Sequence, residues 1–363
     1  MLFQPGTIGR LTLPNRLVRS ATAETLADPS GRPLPQLAEL YRRLARGGVG
    51  LLITGHLYVD PRGKAHPGMT AIDSDDCVER LGVLAEAVHA EGGRIAAQIN
   101  HAGRQVHRDT LPNPMAPSDS EATTARAAAH AMSEQEIEET IAAYAHAARR
   151  AKSAGIDAVQ LHAAHGYLIN QFLSPLTNRR TDTWGGSLRN RLRFLASVAA
   201  AVRTEVGEDY PVFAKLGMRD ASEDGLSLDE GCEIVAAFQS LGLDAVEISG
   251  GIADKGGFNI NPNIAPGLNE ATFRTWAQAA RAVAGVPIIL VGGMRSRAVM
   301  EDVLTTGDAQ FVSMCRPLIC EPDLPEKLRL GTTDASACVS HNRCWPDEGQ
   351  VGIACKCPGV VRR

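Results

Sequence analysis

Short apolar segments alternate with longer amphipathic segments along most of the chain, and this pattern predicts its architecture. The predicted strands are residues 17–21, 50–59, 94–99, 158–163, 212–216, 245–249, 287–291 and 310–314. The predicted helices are residues 36–47, 77–91, 133–154, 189–205, 227–241, 270–284, 297–306 and 323–330. Eight alternating strand–helix units predict an α/β fold, a parallel (β/α)8 TIM barrel. An open, doubly wound sheet is the structural alternative.

The ends of several predicted helices carry boundary signals. Ser133 followed by Glu136, and Ser227 followed by Glu230, have the spacing of a capping box. Glycines follow other helical segments, as at Gly155 and Gly242, where a left-handed residue commonly ends a helix.

Two segments depart from the alternation. Residues 103–132 form a long segment rich in Pro, Ser, Ala and His, and loops of this length usually have a function or are disordered. Residues 332–363 form a cysteine-rich tail. We therefore expect one barrel domain, residues 1–331, followed by the tail at 332–363.

The composition narrows the classes of partner. The net charge is -4, no long Lys/Arg block occurs, and aromatic residues make up 4% of the 363 residues, so nucleic acid is not an expected partner. No apolar run reaches the roughly 18 residues of a membrane span, and the start of the chain lacks a secretory signal pattern. We expect a cytoplasmic protein with a small-molecule substrate and no membrane contact.

The eight cysteines are unevenly distributed. Cys338, Cys344, Cys355 and Cys357 lie together near the end of the chain. In a cytoplasmic protein such a group indicates metal binding, redox chemistry or no function before it indicates disulfides.

The residues that follow predicted strands 7 and 8 suit a phosphate group. In a barrel, the loops after the strands form the active-site face. Gly292 and Gly293 let backbone N–H groups approach an anion, and Arg316 offers a fork of donors. The alternative is a tight turn beside a surface arginine.

The end of predicted strand 4 carries two histidines and a tyrosine within six residues. His162 and His165 can converge only if the chain leaves the strand between them, and both imidazoles could then donate to one developing oxyanion. Tyr167 could deliver a proton. A metal site at this pair is a weaker interpretation, because no carboxylate lies nearby in the sequence. A purely structural role is the third interpretation.

Lys215 follows an apolar run at the end of predicted strand 5. Its ammonium group would enter the barrel mouth, where it could stabilise an anion or form a Schiff base as in aldolase-type barrels. A lysine that extends to solvent is the alternative.

Several longer motifs resemble one enzyme family. They are PNRLV at residues 14–18, QINHAGR at 98–104, HAAHGYLINQFLSP at 162–175, and the segments 178–182 and 184–187. Over residues 1–331 the chain resembles the old yellow enzyme family of FMN oxidoreductases, in the branch that includes the barrel domain of 2,4-dienoyl-CoA reductase.

The resemblance implies FMN as cofactor and NADH or NADPH as reductant. It implies that the flavin ring contacts Ala21, Thr22, Ala23, Gly55, Gln98 and Lys215. It implies that the FMN phosphate is held by Gly292, Gly293, Cys315 and Arg316. It also implies that His162 and His165 bind the carbonyl oxygen of a substrate and that Tyr167 donates the proton. The implied activity is reduction of an activated C=C bond.

This sequence departs from the family pattern at three places. Ala23 stands where many relatives have Cys or Thr, and Thr25 stands where many have an aromatic residue. The tail resembles an iron–sulfur motif in which His341 replaces the second cysteine, between Cys338 and Cys344. A structural zinc bound by these three residues with Cys355 or Cys357 is an alternative, and a tail of reduced thiols without metal is the leading expectation, so we predict no metal.

The leading functional expectation is an FMN-dependent NAD(P)H oxidoreductase acting as an ene reductase. The alternatives are a flavin-dependent dehydrogenase or demethylase that runs oxidatively, a Schiff-base lyase using Lys215, and a non-catalytic flavin-binding barrel. Family resemblance also implies a homo-oligomer.

Overall fold

The computed structural model describes residues 1–124, 126–253, 258–262, 264–347 and 349–357, and its centre is a closed barrel of parallel strands. The eight barrel strands are β1 (Leu17–Arg19), β2 (Leu51–Ile53), β3 (Ile95–Asn100), β4 (Ala158–Ala163), β5 (Val212–Gly217), β6 (Val246–Ser249), β7 (Ile288–Val291) and β8 (Phe311–Met314). Each strand pairs in parallel with the next, and β8 pairs with β1. The (β/α)8 barrel is confirmed, and closure excludes the open sheet.

Helices follow the strands as the alternation predicts. They are α1 (Pro35–Arg46), α2 (Cys77–His89), α3 (Glu134–Ser153), α4 (Leu188–Val206), α5 (Leu228–Ala237), α6 (Arg274–Arg281), α7 (Arg297–Thr305) and α8 (Leu324–Leu330). Both capping boxes form at the starts of α3 and α5, where each serine hydroxyl and its glutamate exchange hydrogen bonds with backbone N–H groups. Among the described residues, none of the helices combines the length and the apolar character needed to cross a membrane.

An antiparallel hairpin that the sequence pattern did not reveal closes the bottom of the barrel. Its strands are Gly6–Ile8 and Leu11–Leu13. Ile8 and Leu13 are fully buried against the first residues of the barrel strands, including Phe213 and Phe311. Burial of each aliphatic side chain contributes about 1.5–3 kcal/mol. The sealed lower end leaves the upper, C-terminal end of the strands as the place for a site.

Several short strands and helices lie at the upper end of the barrel. The predicted strand 50–59 is two strands, β2 and Leu57–Tyr58, both paired with β3, because the chain turns between them. Short helices Leu168–Leu173 and Arg316–Cys320 follow β4 and β8, and 3-10 turns lie at Pro61–Gly63 and Gly103–Gln105. The long loop also contains a short parallel pair, Met115–Ala116 with His130–Ala131.

The tail folds back onto the upper end of the barrel. Ser336 N–H donates to the Arg295 carbonyl after β7, and Ile353 N–H donates to the Glu24 carbonyl after β1. Gly352 N–H donates to Thr25 Oγ1 at 3.2 Å. These contacts place the tail beside the loops that surround the barrel mouth.

Candidate active site

A cavity of about 540 Å³ opens at the C-terminal end of the barrel strands. Its walls come from the ends of β1, β5, β6, β7 and β8 and from the tail. The residues of the sequence-based site prediction that line it are Ala21, Thr22, Ala23, His165, Lys215, Gly292, Gly293, Cys315 and Arg316. A pocket of this volume is within the usual range for a cofactor or small-ligand site.

A buried chain of polar side chains forms the floor beneath this cavity. Gln98 Nε2 donates to Gln160 Oε1 at 2.7 Å, and Gln160 Nε2 donates to Glu247 Oε2 at 2.8 Å. Ser313 Oγ donates to the other Glu247 oxygen at 3.0 Å. Each side chain occupies an inward position of its strand, where alternation directs every second residue into the barrel. The chain of amides thus fixes the orientation of the Gln98 side chain.

Lys215 completes this floor on the cavity side. Its Nζ lies 3.3 Å from Glu247 Oε2 and donates to Ser20 Oγ at 2.8 Å. Strand register places Lys215 opposite both His162 and Glu247. A buried charge needs a partner, and Glu247 supplies it while one side of the ammonium faces the cavity. The lysine does not extend to solvent, since it is only 2% exposed.

The segment after β1 forms one wall and is held from behind. Arg19 Nη2 pairs with Glu24 Oε1 at 3.2 Å, and both side chains are buried. Thr22 Oγ1 donates to the Ser20 carbonyl at 3.0 Å and lies 3.1 Å from Cys315 Sγ. The ion pair and these hydrogen bonds give the segment a fixed shape against the cavity.

The rings of the two histidines after β4 lie close together, and the chain leaves the strand between them. β4 ends at Ala163, and His165 adopts a left-handed conformation with φ of 61°. The ring centroids of His162 and His165 are 5.1 Å apart and the rings lie nearly perpendicular. His165 Nε2 is 2.7 Å from Ser249 Oγ at the end of β6, which fixes its ring. Buried His162 Nδ1 has no hydrogen-bond partner among the described residues.

Tyr167 and two further histidines extend this group into one aromatic cluster. The Tyr167 ring lies 4.7 Å from His162 and 5.2 Å from His56, measured between centroids. His66 lies 5.6 Å from His56. Asn100 Nδ2 contacts His56 Nδ1 at 3.0 Å and so anchors the cluster to β3.

Burial keeps the cluster uncharged. Desolvation lowers the pKa of His165 and of His56 to about 3, with the Lys215 charge adding to the effect at His165 and His66 adding to it at His56. Burial first, and then His165, holds the pKa of His162 well below its ordinary value. Burial raises the pKa of Tyr167 above its ordinary value. At neutral pH the cluster therefore presents neutral imidazoles and a protonated phenol, all able to donate hydrogen bonds.

The opposite end of the cavity suits a phosphate. Gly292 and Gly293 have positive φ values of 118° and 75°, and a Cβ at Gly293 would approach Ile264 Cδ1 to 2.6 Å. Only glycine fits here, so the backbone remains open to a ligand. Arg316 Nη1 donates to the Asn261 carbonyl at 2.9 Å and to Asn342 Oδ1 of the tail, which holds the guanidinium at the cavity wall.

These features together fit FMN. A glycine cradle with an arginine can hold the phosphate, the segment after β1 can flank a flat ring, and Lys215 provides a cation at the deep end. The fit rests on the donor set and on the residues that line the cavity.

Four residues of the sequence-based site prediction do not line this cavity in the described part of the chain. Gly55 lies in a small neighbouring pocket that also includes Ala23 and His56. Gln98 lies in the floor network, and His162 and Tyr167 stand behind His165 in the aromatic cluster. The structure therefore gathers all of these residues at one end of the barrel without exposing all of them to the cavity.

Sequence reasoning missed several residues of the site. Gln160, Glu247 and Ser249 lie at inward positions of β4 and β6. Alternate residues of a strand share one face, so these positions could have been identified by counting every second residue along each predicted strand. The tail residues Asn342 and Trp345 also line the cavity, and nothing in their local sequence indicated this.

Comparison with known proteins agrees with the geometry. Residues 1–335 match the model of the NADH:flavin oxidoreductase / NADH oxidase family. An NADH oxidase from Thermoanaerobacter brockii is 36% identical over 346 residues, covering 94% of this chain and 52% of that protein. An NADPH dehydrogenase from Halalkalibacterium halodurans is 34% identical over 348 residues, covering 95% of this chain and 98% of that protein.

A solved structure confirms the likeness in three dimensions. The old yellow enzyme homologue from Zymomonas mobilis superposes with a TM-score of 0.79 at 28% identity, covering 92% of this chain and 94% of that chain. The chain spans about half the length of the Thermoanaerobacter NADH oxidase. The protein belongs to the NADH:flavin oxidoreductase / NADH oxidase family, that is, to the old yellow enzyme family of FMN-dependent NAD(P)H oxidoreductases.

Proposed function

We propose that this protein is an ene reductase, which uses NADH or NADPH and FMN to reduce the activated C=C bond of an α,β-unsaturated carbonyl compound. One observation carries the proposal: at the upper end of the barrel the neutral imidazole of His162 lies 5.1 Å from that of His165 and 4.7 Å from the protonated phenol ring of Tyr167, measured between ring centroids. An enone needs hydrogen-bond donors for its oxygen and a proton for its α-carbon, and this cluster contains both.

The histidine pair would bind the substrate oxygen. In this proposal each imidazole would donate one N–H group to the same carbonyl oxygen, on which negative charge grows as the double bond is reduced. Because Ser249 holds His165 in place, little reorganisation accompanies this charge. Neutral imidazoles suit the role, since they lose no proton while donating.

Tyr167 would deliver the proton to the α-carbon. Burial keeps its phenol protonated, and its ring packs against the His162 ring, which sets its distance from a substrate held by the histidines. Bound FMN would supply the hydride chemistry between nicotinamide and alkene. The residues proposed to hold it are Ala21, Thr22, Ala23, Gly55, Gln98 and Lys215 at the ring and Gly292, Gly293, Cys315 and Arg316 at the phosphate.

The arrangement around Lys215 argues against a Schiff-base lyase. A nucleophilic lysine must be a free amine, and this Nζ is paired with a fully buried carboxylate at 3.3 Å. This pairing suits a charged group beside a cofactor better than attack on a carbonyl.

Product analysis tests the proposal. The purified protein with FMN, NADPH or NADH, and 2-cyclohexenone under nitrogen should yield cyclohexanone, with one NADPH or NADH oxidised for each molecule of product. The matching alkene without a carbonyl, cyclohexene, should not react. Consumption of NAD(P)H only when oxygen is admitted, with the enone recovered unchanged, would refute the ene-reductase proposal. Reduction of an added acceptor by an amine substrate would instead establish the oxidative alternative.

A further inference from the structure

Four buried cysteines form a cluster outside the proposed active site. The Sγ atoms of Cys320, Cys355 and Cys357 all lie within 4.8 Å of one another. Cys338 packs in the same cluster, and all four side chains are buried. Each of the four is a free thiol. Three thiols at such short distances, with a fourth packed beside them, form a donor set suited to a soft metal ion.

The cluster joins the tail to the barrel. Cys320 ends the short helix Arg316–Cys320 that begins at the proposed phosphate site, and the other three cysteines come from the tail. Backbone N–H of Cys357 donates to Cys355 Sγ at 3.3 Å, a type of contact that stabilises a thiolate. Arg295 is fully buried and donates to the Cys338 carbonyl and to Ser340 Oγ.

This donor set differs from the iron–sulfur motif that the tail resembles. That motif would use Cys338, His341, Cys344 and Cys355. In the structure the clustered thiols are those of Cys338, Cys355, Cys320 and Cys357, and neither His341 nor Cys344 belongs to this group. His341 Nδ1 accepts from Arg343 N–H at 3.2 Å, and Cys344 lines the large cavity.

The spacing of the cysteine sulfurs also argues against a bound iron–sulfur cluster. In an iron–sulfur cubane each thiolate binds a different iron atom, so the cysteine sulfurs stand well apart. Around one tetrahedral zinc with Zn–S bonds of about 2.3 Å, the sulfurs are about 3.8 Å apart. The sulfurs of Cys320, Cys355 and Cys357 lie within 4.8 Å of one another, which is closer to the spacing around a single ion. The residues present do not fit the four-iron group.

We propose that Cys320, Cys355 and Cys357, with Cys338 as fourth ligand, bind one zinc ion that anchors the tail to the barrel. Binding exchanges the S–H protons, up to four, for Zn–S bonds, and the protons leave to solvent. The resulting site carries a net negative charge, and the buried guanidinium of Arg295 at the Cys338 loop complements it. No electron transfer is involved.

Anchoring has a consequence for the cavity. The tail segment between Cys338 and Cys355 contributes Asn342, Trp345 and Ile353 to the cavity wall. A metal that fixes both ends of this segment fixes that wall of the pocket. The zinc is therefore a structural ion placed beside the cofactor site, in line with closed four-thiolate zinc sites in general.

Metal analysis of the full-length protein with its FMN tests the proposal. After purification without chelators, plasma mass spectrometry should give one zinc per chain, and zinc-edge X-ray absorption should show four sulfur neighbours at about 2.3 Å. Cys320→Ser and Cys357→Ser should each lower the zinc content to near zero after brief dialysis against EDTA. Cys232→Ser on α5 and His341→Ala should keep wild-type zinc content, because neither residue belongs to the set.

Four results would overturn the proposal. They are a wild-type protein that takes up no zinc and titrates all eight thiols, a disulfide within the set in the freshly purified protein, iron with acid-labile sulfide in place of zinc, or zinc that survives Cys320→Ser but is lost in His341→Ala. None of these readouts depends on enzymatic turnover, so they are independent of the proposed activity.

Discussion

The buried ion pair of Lys215 and Glu247 in the barrel floor allows a quantitative prediction of the free energy of unfolding of a variant that lacks one partner. Lys215→Met removes the ammonium and keeps most of the side-chain volume. Glu247 is then left fully buried, with hydrogen bonds from Gln160 and Ser313 but no cation. We expect this single change to destabilise the protein far more than an ordinary surface substitution.

The magnitude follows from the geometry. Two unit charges 3.3 Å apart attract by about 5 kcal/mol at an effective dielectric constant of about 20. The side chains are 3% and 0% exposed, so solvent screening removes little of this interaction. Breaking one side of a buried pair costs about 3–5 kcal/mol, and this is the expected loss in the free energy of unfolding.

Urea unfolding followed by circular dichroism, at one fixed FMN concentration, measures this loss at neutral pH. The double variant Lys215→Met/Glu247→Gln is the matched control, because it removes both charges and should recover much of the stability. A Lys215→Met protein within about 1 kcal/mol of wild type at neutral pH would refute the reasoning, since that is the range of exposed ion pairs. A double variant no more stable than Lys215→Met would also contradict it.

Three further predictions concern the aromatic cluster. In stopped-flow measurements, Tyr167→Phe should slow reoxidation of the flavin by 2-cyclohexenone by about 10²–10⁴-fold and leave reduction of the flavin by NADPH nearly unchanged. Tyr58→Phe, away from the cavity, should change neither rate. Equal losses in the two rates of Tyr167→Phe would show that Tyr167 does not deliver the proton. His162→Ala and His165→Ala should each weaken binding of a phenol, measured by the flavin absorbance shift, by about tenfold, the loss of one hydrogen bond of about 1.4 kcal/mol; unchanged binding would contradict their role. Burial lowers the pKa of His66 to about 4, so between about pH 6.5 and 4 the unfolded chain binds a proton that the folded chain does not, and stability should fall as the pH falls through this window. The slope of melting temperature against pH should be shallower in His66→Gln. An unaltered slope would contradict the burial of His66 as a neutral group.

Much of the barrel could be predicted from local sequence because each strand–helix unit repeats the same pattern. The capping boxes at Ser133 and Ser227 fix where α3 and α5 begin, and both formed as predicted. The hairpin at Gly6–Ile8 and Leu11–Leu13 could not be recognised, since its strands are three residues long and their stability comes from burial in the barrel floor.

The site was predictable where its residues follow one another in the chain. His162 and His165 converge because the backbone leaves β4 between them, which their spacing alone required. The pairing of Lys215 with Glu247 depends on the register between two strands, and the approach of Trp345 to the cavity depends on how the tail folds back. Both are long-range properties that no local pattern records. The thiol cluster is of the same kind, since Cys320 joins cysteines far along the chain.

The central claim is that the residues of this site hold FMN, which would supply the redox chemistry between a nicotinamide and an activated alkene. An absorbance spectrum of the purified protein under nitrogen tests it most directly. We predict flavin bands that bleach on addition of NADPH or NADH and return on addition of 2-cyclohexenone. A protein that binds no FMN, or whose bleached flavin stays bleached with the enone and recovers only in air, would contradict the account.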